Sequence, residues 1–425
     1  MIDLHRNPHD FFDEAKSIQV VQGTDLSGTP CTLFDLIAQS STFYSASGHS
    51  QEVLQSNRLV RGLHLHDISD LRVDHAVVSV RGLREWVNHR WDGPKQASAD
   101  EDERDDRQDP LENEVLNVPL AAGSLLLQRG VTFGQRKVDV PVTAQFKLDE
   151  PVPYEEFTER FVKPLQDLIA FTTREPTEVD GVTVYFSRET EKWWGDQTPT
   201  QSLAEVQIVE RTTLTRIQRQ ERDFALVPMP LRAWGSDAPK IIGHWFEQRA
   251  SLGGPGNLLF ATLGKRDVHL ENDVLGLLSV AEGYHRSRFD APPFTAADHQ
   301  AALKTMLAAL GEQAQVDHYR DRLKHANQQS QKQRVRALYD RAEGVLVEVG
   351  AWRKQLQGLI DTRNFLTHWH AKTGNVLEEW DLWAALHRLR IVIEINLYLD
   401  LEIDADVIEA AIRVGNHRRD FMGSP

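Results

Sequence analysis

Apolar and polar side chains alternate in short segments along the first half of the chain. Val182-Thr183-Val184-Tyr185-Phe186 is one such segment, and Val138-Asp139-Val140-Pro141-Val142 is another. An apolar residue at every second position is typical of a β-strand that buries one face. Residues 25–30 (Asp-Leu-Ser-Gly-Thr-Pro) lie between two apolar runs and predict a hairpin turn, and Asp180-Gly181 predicts another turn. The pattern predicts a β-rich domain over residues 1–235.

One helix interrupts this strand pattern. Tyr154, Phe157, Phe161 and Leu165 follow one another at three- and four-residue spacings, which is the period of an amphipathic helix. Pro164 lies within the same stretch. Because proline has no N–H to donate and its ring crowds the preceding turn, we expect the helix to bend there.

From about residue 265 the spacing becomes that of helices. Val274, Leu278 and Ala281 recur at three- and four-residue intervals, and Thr295 with Asp298 predicts the capped start of a second helix. The same pattern predicts further helices at about 313–329, 331–349, 351–372, 376–402 and 404–415. We therefore expect an α+β protein with a helical domain over residues 236–425, whose core is residues 265–425.

Length and composition favour two folded domains. A chain of 425 residues exceeds one ordinary core, and Gly253-Gly254-Pro255-Gly256 indicates a linker because the residues of a phosphate-binding loop do not follow it. The only cysteine, Cys31, excludes an intrachain disulfide and a Cys-rich zinc module. The N-terminus lacks the pattern of a signal peptide, and the most apolar helix candidate, 389–401, contains charged residues. The sequence thus predicts a cytoplasmic protein without a membrane partner.

The net charge of −15 is unevenly distributed. Residues 265–425 contain 21 Lys and Arg against 23 Asp and Glu, which leaves 27 against 40 in the rest of the chain. The first part is therefore strongly acidic, whereas the helical part is nearly neutral. Within the helical part, a local basic stretch could follow an RNA phosphate backbone: Arg320, Arg322, Lys324, Lys332, Arg334 and Arg336. The alternative for this stretch is a solvated helix face.

The segment Arg363-Asn364-Phe365-Leu366-Thr367-His368 carries candidate catalytic residues. Histidine can exchange protons near neutral pH, as attack of an RNA 2′-hydroxyl on phosphorus requires. Arginine remains cationic and can stabilise charge on the phosphate, and Asn364 could orient either group. The same Arg–His spacing also occurs at 61–66, 84–89 and 320–325, so spacing alone does not identify the site.

Helix geometry limits what one copy of this segment can do. At about 100° per residue, Asn364 and His368 lie on one helix face, whereas Arg363 and His368 are about 140° apart. A regular helix would therefore hold the arginine and the histidine apart. We therefore expect a single copy of this segment to form an incomplete catalytic site.

Together these residues resemble the HEPN family, and in particular its ApeA-like group. Arg363 to His368 matches the R-x(4–6)-H signature of HEPN ribonucleases in its Arg-Asn form, and residues 281–286 (Ala-Glu-Gly-Tyr-His-Arg) are similar to the E-x-Y-H-R pattern of the ApeA-like group. Residues 21–35 and 63–66 resemble the ApeA N-terminal domain. The resemblance implies catalytic Arg363, Asn364 and His368, with Glu282 and His285 in supporting positions.

The resemblance also implies an activity and partners. HEPN ribonucleases form two-fold dimers that bring two such motifs to a shared cleft, which would complete the site. The implied reaction is metal-independent cleavage of cellular RNA, such as tRNA, by 2′-hydroxyl attack, without a cofactor. Proteins of this architecture are bacterial abortive-infection factors, so we expect the N-terminal domain to sense a phage-derived trigger.

Two alternatives remain at this stage. A HEPN domain without catalytic activity could bind RNA or a protein partner as a scaffold. A more distant alternative is a metal-dependent hydrolase built around His64 and His66, because alternate residues of one strand would share a face with metal-like spacing.

Overall fold

An antiparallel sheet forms the N-terminal part of the chain in a computed structural model. The structure describes residues 18–44, 49–89, 116–129, 132–133, 138–139, 142–188, 202–210, 227–263, 269–289, 291–310, 312–323, 326–368 and 374–415. Within them the strands are β1 (Ile18–Thr24), β2 (Pro30–Tyr44), β3 (His49–Arg61), β4 (Arg72–Val80), β5 (Leu116–Leu120), β6 (Gly123–Arg129), β7 (Thr132–Phe133), β8 (Val138–Asp139), β9 (Val142–Pro153), β10 (Val179–Arg188) and β11 (Ser202–Glu210). Nine of these described strands form one sheet in the order β1-β2-β3-β11-β10-β4-β9-β6-β5, whereas β7 pairs with β8. The predicted β-rich domain is confirmed.

The turn between β1 and β2 is held by the carboxylate of Asp25. It accepts hydrogen bonds from the backbone N–H groups of Ser27 (2.8 Å) and Thr29 (2.9 Å) and from Nε of Arg61 on β3 (2.7 Å). The hydroxyl of Ser27 and the guanidinium of Arg61 hold the pKa of Asp25 well below its usual range. The hairpin turn predicted at residues 25–30 is therefore confirmed.

The turn predicted at Asp180-Gly181 is wrong, because both residues lie inside β10. Pairing with β4 shifts its register between Val179 and Gly181, as at a β-bulge. A bulge adds a residue to one strand without ending it, so residues typical of a turn can lie within the sheet. The predicted segment 138–142 is divided between β8 and β9, and residues 140–141 lie outside the described residues.

The helix predicted within the strand region is present, and it changes its hydrogen-bond pattern just before Pro164. It consists of α2 (Tyr154–Phe157), a π-helical turn (Thr158–Val162) and α3 (Lys163–Thr173), after the earlier short helix α1 (Leu83–Asn88). Pro164 falls in the first turn of α3, and the π turn before it changes the hydrogen-bond pattern that proline interrupts. Phe157 and Phe161 pack against Phe146 of β9 with ring centroids 5.6 and 5.8 Å away, so this helical stretch packs on the sheet.

Helices make up the described chain after residue 237. They are α4 (Ala238–Leu263), α5 (Leu270–Phe289), α6 (Ala296–Ala308), α7 (Gln313–Leu323), α8 (Gln331–Glu343), α9 (Val349–Trp352), α10 (Leu356–His368), α11 (Glu379–Asp400) and α12 (Ala405–Gly415). Thr295 caps α6 as predicted, because its Oγ1 accepts from the N–H of Asp298 at 3.2 Å. The single helix predicted over 351–372 is instead α9, a 3-10 turn and α10. None of the helices in the described ranges combines the length and apolar character needed to cross a membrane.

The chain divides into two compact units, Met1–Ala250 and Ser251–Pro425, and the division falls inside α4. Gly253 has φ 52° and ψ −130°, values open to glycine, and breaks α4 into two helical parts. The linker predicted at 253–256 is therefore a break of one residue within a helical stretch. The domain boundary after residue 235 stays a prediction.

A buried polar network holds three helices of the second unit together. Helix α5 packs against α8, α10 and α11. The hydroxyl of Tyr284 on α5 donates to Oδ2 of Asp400 on α11 (2.5 Å), and Nη1 of Arg341 on α8 lies 2.8 Å from Oδ1 of the same carboxylate. Burial, reinforced by the charge of Asp400, raises the pKa of Tyr284, so this hydroxyl remains a donor. The network fixes the support on which α10 lies.

In the first unit, a buried ion pair joins α3 to α4. Nε of Arg249 lies 2.6 Å from Oδ2 of Asp167, and the two side chains are only 7% and 11% exposed. Burial raises the pKa of Asp167 to about 6, although Arg249 acts in the opposite direction. The charged pair is therefore costly to bury, and removing one partner costs more than removing both.

Replacing Arg249 by Met should reduce the free energy of unfolding by about 3–5 kcal/mol, because the Asp167 carboxylate is then buried without its partner. The double variant Asp167→Leu/Arg249→Met should recover most of that loss. The free energies of unfolding of both variants can be measured by urea denaturation monitored by tryptophan fluorescence. A double variant as unstable as Arg249→Met would contradict this account of the pair.

Candidate active site at the end of helix α10

Helix α10 buries one side and exposes its C-terminal end. Leu356, Leu359 and Thr362 are buried at three-residue intervals, which fixes the face that packs into the bundle. One residue later the burial changes: Arg363 is half-buried, whereas Asn364 and His368 are exposed. The three predicted catalytic side chains therefore lie at the solvent-accessible C-terminal end of α10, whose other side is buried in the bundle.

Arg363 reaches toward the face that Asn364 and His368 share. Its Nη1 donates to Oδ1 of Asn364 at 3.1 Å. Because Asn364 precedes His368 by four residues, this bond directs the guanidinium toward the side of α10 on which the histidine lies. The side-chain bond thus reduces the separation of about 140° that backbone geometry alone predicts.

Thr367 also makes a side-chain contact in the last turn of α10. Oγ1 of Thr367 donates to the carbonyl oxygen of Arg363 at 2.8 Å. A threonine within a helix commonly donates in this way to the carbonyl oxygen four residues earlier. Thr367 therefore bonds to the backbone of the helix, while Asn364 and His368 remain exposed.

The chain returns from α10 to α11 along the side of the motif helix. The N–H of Leu377 donates to Oγ1 of Thr362 (2.8 Å), and the N–H of Asn375 donates to Oδ2 of Asp361 (2.9 Å). Gly374, with φ +82°, approaches the same carboxylate so closely that a Cβ there would lie 2.6 Å from Oδ2. The two residues before Arg363 therefore hold the return segment in place.

Sequence reasoning did not single out Asp361 and Thr362 as positioning residues. The available signal was Gly374-Asn375 shortly after the motif, since glycine favours a left-handed turn. The sequence could not indicate which side chains this turn would meet. That depends on the hairpin that α10 and α11 form.

Glu282 and His285, predicted to support the site, both lie on α5, which packs against α10. Oε1 of Glu282 is 3.0 Å from Nη2 of Arg286, and its Oε2 accepts from Nε2 of Gln331 at 3.1 Å. His285 is 3% exposed, with its ring centroid 5.5 Å from that of Phe289. Glu282 thus forms a half-buried ion pair with Arg286, whereas His285 is a side chain of the core. A supporting role for either stays a prediction.

The basic stretch divides into exposed and buried members. Arg320 pairs with Asp317 at 2.8 Å, Lys332 donates to Oε1 of Gln357 on α10, and Arg322 and Arg336 are exposed. Arg334 differs, because it is 1% exposed and its Nε donates to the carbonyl of Gln329 at 3.0 Å. Its guanidinium does not face solvent, so it is a poor candidate for an RNA contact. Lys324 lies outside the described residues.

The other Arg–His spacings have different surroundings. Arg61 is held by Asp25, and Arg84 precedes α1's C-terminal cap, His89, so both pairs belong to the sheet unit. His325, of the third pair, lies outside the described residues. Only Arg363 and His368 combine this spacing with an exposed helix end among the matches whose two members are described.

His64 and His66 do not lie on one strand face, because β3 ends at Arg61 and both histidines fall in the following loop. Nε2 of His64 donates to the carbonyl of Gly23 at 2.7 Å. Across the described ranges, no group of three or more His, Cys, Asp or Glu side chains is arranged to hold a metal ion. The strand-face argument for a hydrolase at this point is therefore wrong.

Comparison with known families agrees with both units. The family model described as ApeA N-terminal domain 1 matches residues 2–245, which is more than half of the chain, and the one described as Apea-like HEPN matches residues 275–407. The second match extends from α5 into α12 and includes the whole of α10. No curated protein and no solved structure matches the chain. The chain therefore belongs to the ApeA-like HEPN proteins, with an ApeA N-terminal domain followed by a HEPN domain.

Proposed function

We propose that this protein is an anti-phage endoribonuclease whose reaction takes place at Arg363, Asn364 and His368. HEPN domains are generally nuclease domains, and the combination with an ApeA domain points to anti-phage defence. The observation that carries the proposal is the bond from Arg363 to Asn364 at the exposed end of α10. It directs a permanent cation toward the face that also presents an imidazole.

The proposed reaction is an internal transesterification of RNA. The imidazole of His368 accepts the proton of a ribose 2′-hydroxyl, and the resulting oxygen attacks the adjacent phosphorus. The bond from phosphorus to the 5′-oxygen breaks, and that oxygen takes up a proton. The products are a 2′,3′-cyclic phosphate and a 5′-hydroxyl. No metal or other cofactor takes part in the proposed reaction.

Arg363 and Asn364 have distinct roles in this proposal. The guanidinium of Arg363 contacts two non-bridging phosphate oxygens, whose charge grows in the transition state. The carboxamide of Asn364 accepts from Arg363 and limits the rotamers of that long side chain. This restriction lowers the conformational entropy lost when the phosphate is bound.

A second copy of the chain would supply the remaining acid. One His368 can accept the proton of the 2′-hydroxyl, but a protonated group must donate to the leaving 5′-oxygen at the same time. In a two-fold dimer, the partner's His368 could do this across a shared cleft. The homodimer is therefore part of the proposed function.

Exposed cations of α7 and α8 would bind the RNA backbone. Lys332 on α8 donates to Gln357 of α10, which places one ammonium beside the motif helix. Arg320, Arg322 and Arg336 lie on α7 and α8 and are also exposed. Each such contact releases counterions from the RNA, so binding should weaken steeply with salt. The RNA we propose as substrate is cellular, such as tRNA.

The ApeA domain would then regulate the nuclease. Residues before 265 contain 27 Lys and Arg against 40 Asp and Glu, so this part of the chain repels a polyanion. An acidic domain of this kind is unsuited to binding the RNA substrate and better suited to recognising a ligand that is not a polyanion. We assign it the sensing of a phage-derived trigger.

His368→Ala should abolish RNA cleavage and phage protection while the protein still folds, because the side chain is exposed at the end of α10. A positioned acid–base group contributes about 10²- to 10⁴-fold in rate. Arg363→Lys should also be severely impaired, since an ammonium cannot make the planar two-point contact with phosphate. Sequencing of RNA ends in cells that express each variant measures the effect.

His318→Ala is the matched control, because His318 is likewise exposed on a helix of the same unit. It should cleave RNA and protect cells as the wild type does. If folded His368→Ala protein still protects, the catalytic proposal is wrong, and a HEPN scaffold that binds RNA or a protein becomes the better account.

Cleavage should persist in excess EDTA, because the proposed chemistry uses side chains alone. The products should carry 2′,3′-cyclic phosphate and 5′-hydroxyl ends, which can be identified by mass spectrometry of a cleaved oligonucleotide. Complete loss of cleavage on chelation, or products with 3′-hydroxyl and 5′-phosphate ends, would indicate a metal-activated water instead.

Light scattering should give twice the 48.4 kDa mass of one chain, because one motif lacks the second proton-transfer group. Mixing His368→Ala with Arg363→Lys chains provides the sharper measurement. Mixed dimers with a shared cleft should differ in rate from the mean of the two pure variants. A fully active monomer would contradict the shared site.

A further inference from the structure

Three rings are stacked along one side of helix α11. Trp380 and Trp383 have centroids 4.6 Å apart and planes inclined by 24°, and Trp383 and His387 are 5.8 Å apart at 6°. The spacings of three and four residues place the rings on one helix face. Near-parallel rings at these distances form a continuous aromatic surface that is rigid before any ligand arrives.

Trp380 presents much of this surface to solvent. The residue is 60% exposed, whereas Trp383 and His387 are half-buried. Tryptophan is the largest apolar side chain, so its exposure in a folded protein favours a binding role over a packing role. The lower rings support the indole of Trp380 and limit its motion.

The backbone before Trp380 is held in an unusual conformation. Glu379 has φ +42°, in the left-handed region that residues with a Cβ rarely adopt. Leu377 packs so closely on α10 that a Cβ at Gly358 would lie 2.7 Å from its Cγ, and its N–H bonds to Thr362. These contacts force the turn into α11 and thereby set where Trp380 emerges. Strain of this kind is maintained where surrounding structure requires it and often accompanies function.

The stack begins beside the motif end of α10. Gln355, immediately before α10, accepts from Arg388 of α11 at 2.8 Å, whereas Thr362 near the end of α10 contacts Leu377 before α11 begins. The two helices therefore run in opposite directions. Trp380, three residues after Leu377, lies at the same end of this helix pair as Arg363, which follows Thr362.

Charge decides which part of an RNA could lie on this surface. Glu378, Glu379 and Asp381 flank Trp380 in sequence and are all exposed. Their carboxylates repel phosphate, whereas a nucleobase carries no net charge and can still stack on the indole. The phosphates would lie on the cations around α10 and the base on Trp380.

We propose that Trp380 is a stacking platform for an unpaired nucleobase of the RNA substrate. This inference rests on the proposed ribonuclease function, and it adds that the substrate is single-stranded beside the cleaved bond. A base that stacks on Trp380 is removed from a helix, which exposes its neighbouring ribose and phosphate. Stacking on an aromatic ring tolerates any of the four bases, so this contact selects for unpaired RNA and not for sequence.

The test measures binding of a short single-stranded oligoribonucleotide to full-length protein carrying His368→Ala, so that the RNA stays intact. Adding Trp380→Ala should weaken binding about 5- to 150-fold, as loss of one base stack does. Trp380→Phe should retain binding within about 3-fold, because phenyl still offers a face to the base. Phe294→Ala is the control, since Phe294 is 62% exposed and lies before α6. It should leave the affinity unchanged.

The salt dependence separates a base contact from a phosphate contact. Trp380→Ala should weaken binding equally at every salt concentration and leave the slope of log Kd against log salt unchanged. Arg336→Gln should reduce that slope by about 1, because it removes a phosphate contact. A changed slope in Trp380→Ala would overturn the assignment of a base to this ring.

The remaining outcomes distinguish the inference from the proposed function. If Trp380 governs binding but wild-type protein never cleaves RNA, the stacking platform stands and the ribonuclease proposal fails. If cleavage depends on His368 but Trp380→Ala binds RNA as its parent does, the platform is wrong and the surface serves a protein partner. Absence of RNA binding by the His368→Ala parent would also overturn it.

Discussion

Pairing of the Asp400 carboxylate, whose side chain is only 10% exposed, is the constraint on which the helical unit depends. A carboxylate removed from water must find cations and donors, and here it finds Arg341 of α8 and the hydroxyl of Tyr284 of α5. Because the partners come from different helices, satisfying this one group fixes α5, α8 and α11 relative to each other. Helix α10 packs against all three of these helices. The relative positions of the three helices that pack against the candidate site are therefore set by electrostatic interactions.

The candidate site combines this rigid base with an exposed end. Thr362 and Asp361 hold the return segment, whereas the next residues, Arg363 and Asn364, bond to each other and face solvent. Positioning and the proposed chemistry are therefore divided between neighbouring residues of one helical turn. Because His368 and Trp380 are exposed, we expect their substitution to leave the fold intact, so variants at these positions can report on function. The same return segment that anchors α10 also sets the position of Trp380.

Much of the fold could be predicted from local patterns. The hairpin at residues 25–30 and the capped start of α6 both follow from chemistry within a few residues, and the structure has both. The predictions that were wrong concern residues whose conformation distant contacts override. Asp180-Gly181 has turn chemistry, yet pairing with β4 keeps it inside a strand as a bulge. Gly253 favours a chain break, yet helix continues on both sides of it.

The sequence by itself determined the two classes of structure, the candidate Arg363, Asn364 and His368, and the family resemblance, because periodicity and short motifs are local properties. Tertiary structure alone decided which side chains are accessible. Arg334 and Arg336 belong to one basic stretch, but packing of α8 buries the first and exposes the second. The bond from Arg363 to Asn364 and the stack at Trp380 join residues that are close in sequence, but the rotamers that form them are set in the folded protein. The position of Trp380 beside the motif end of α10 depends on contacts such as that between Leu377 and Thr362, which sequence spacing does not reveal.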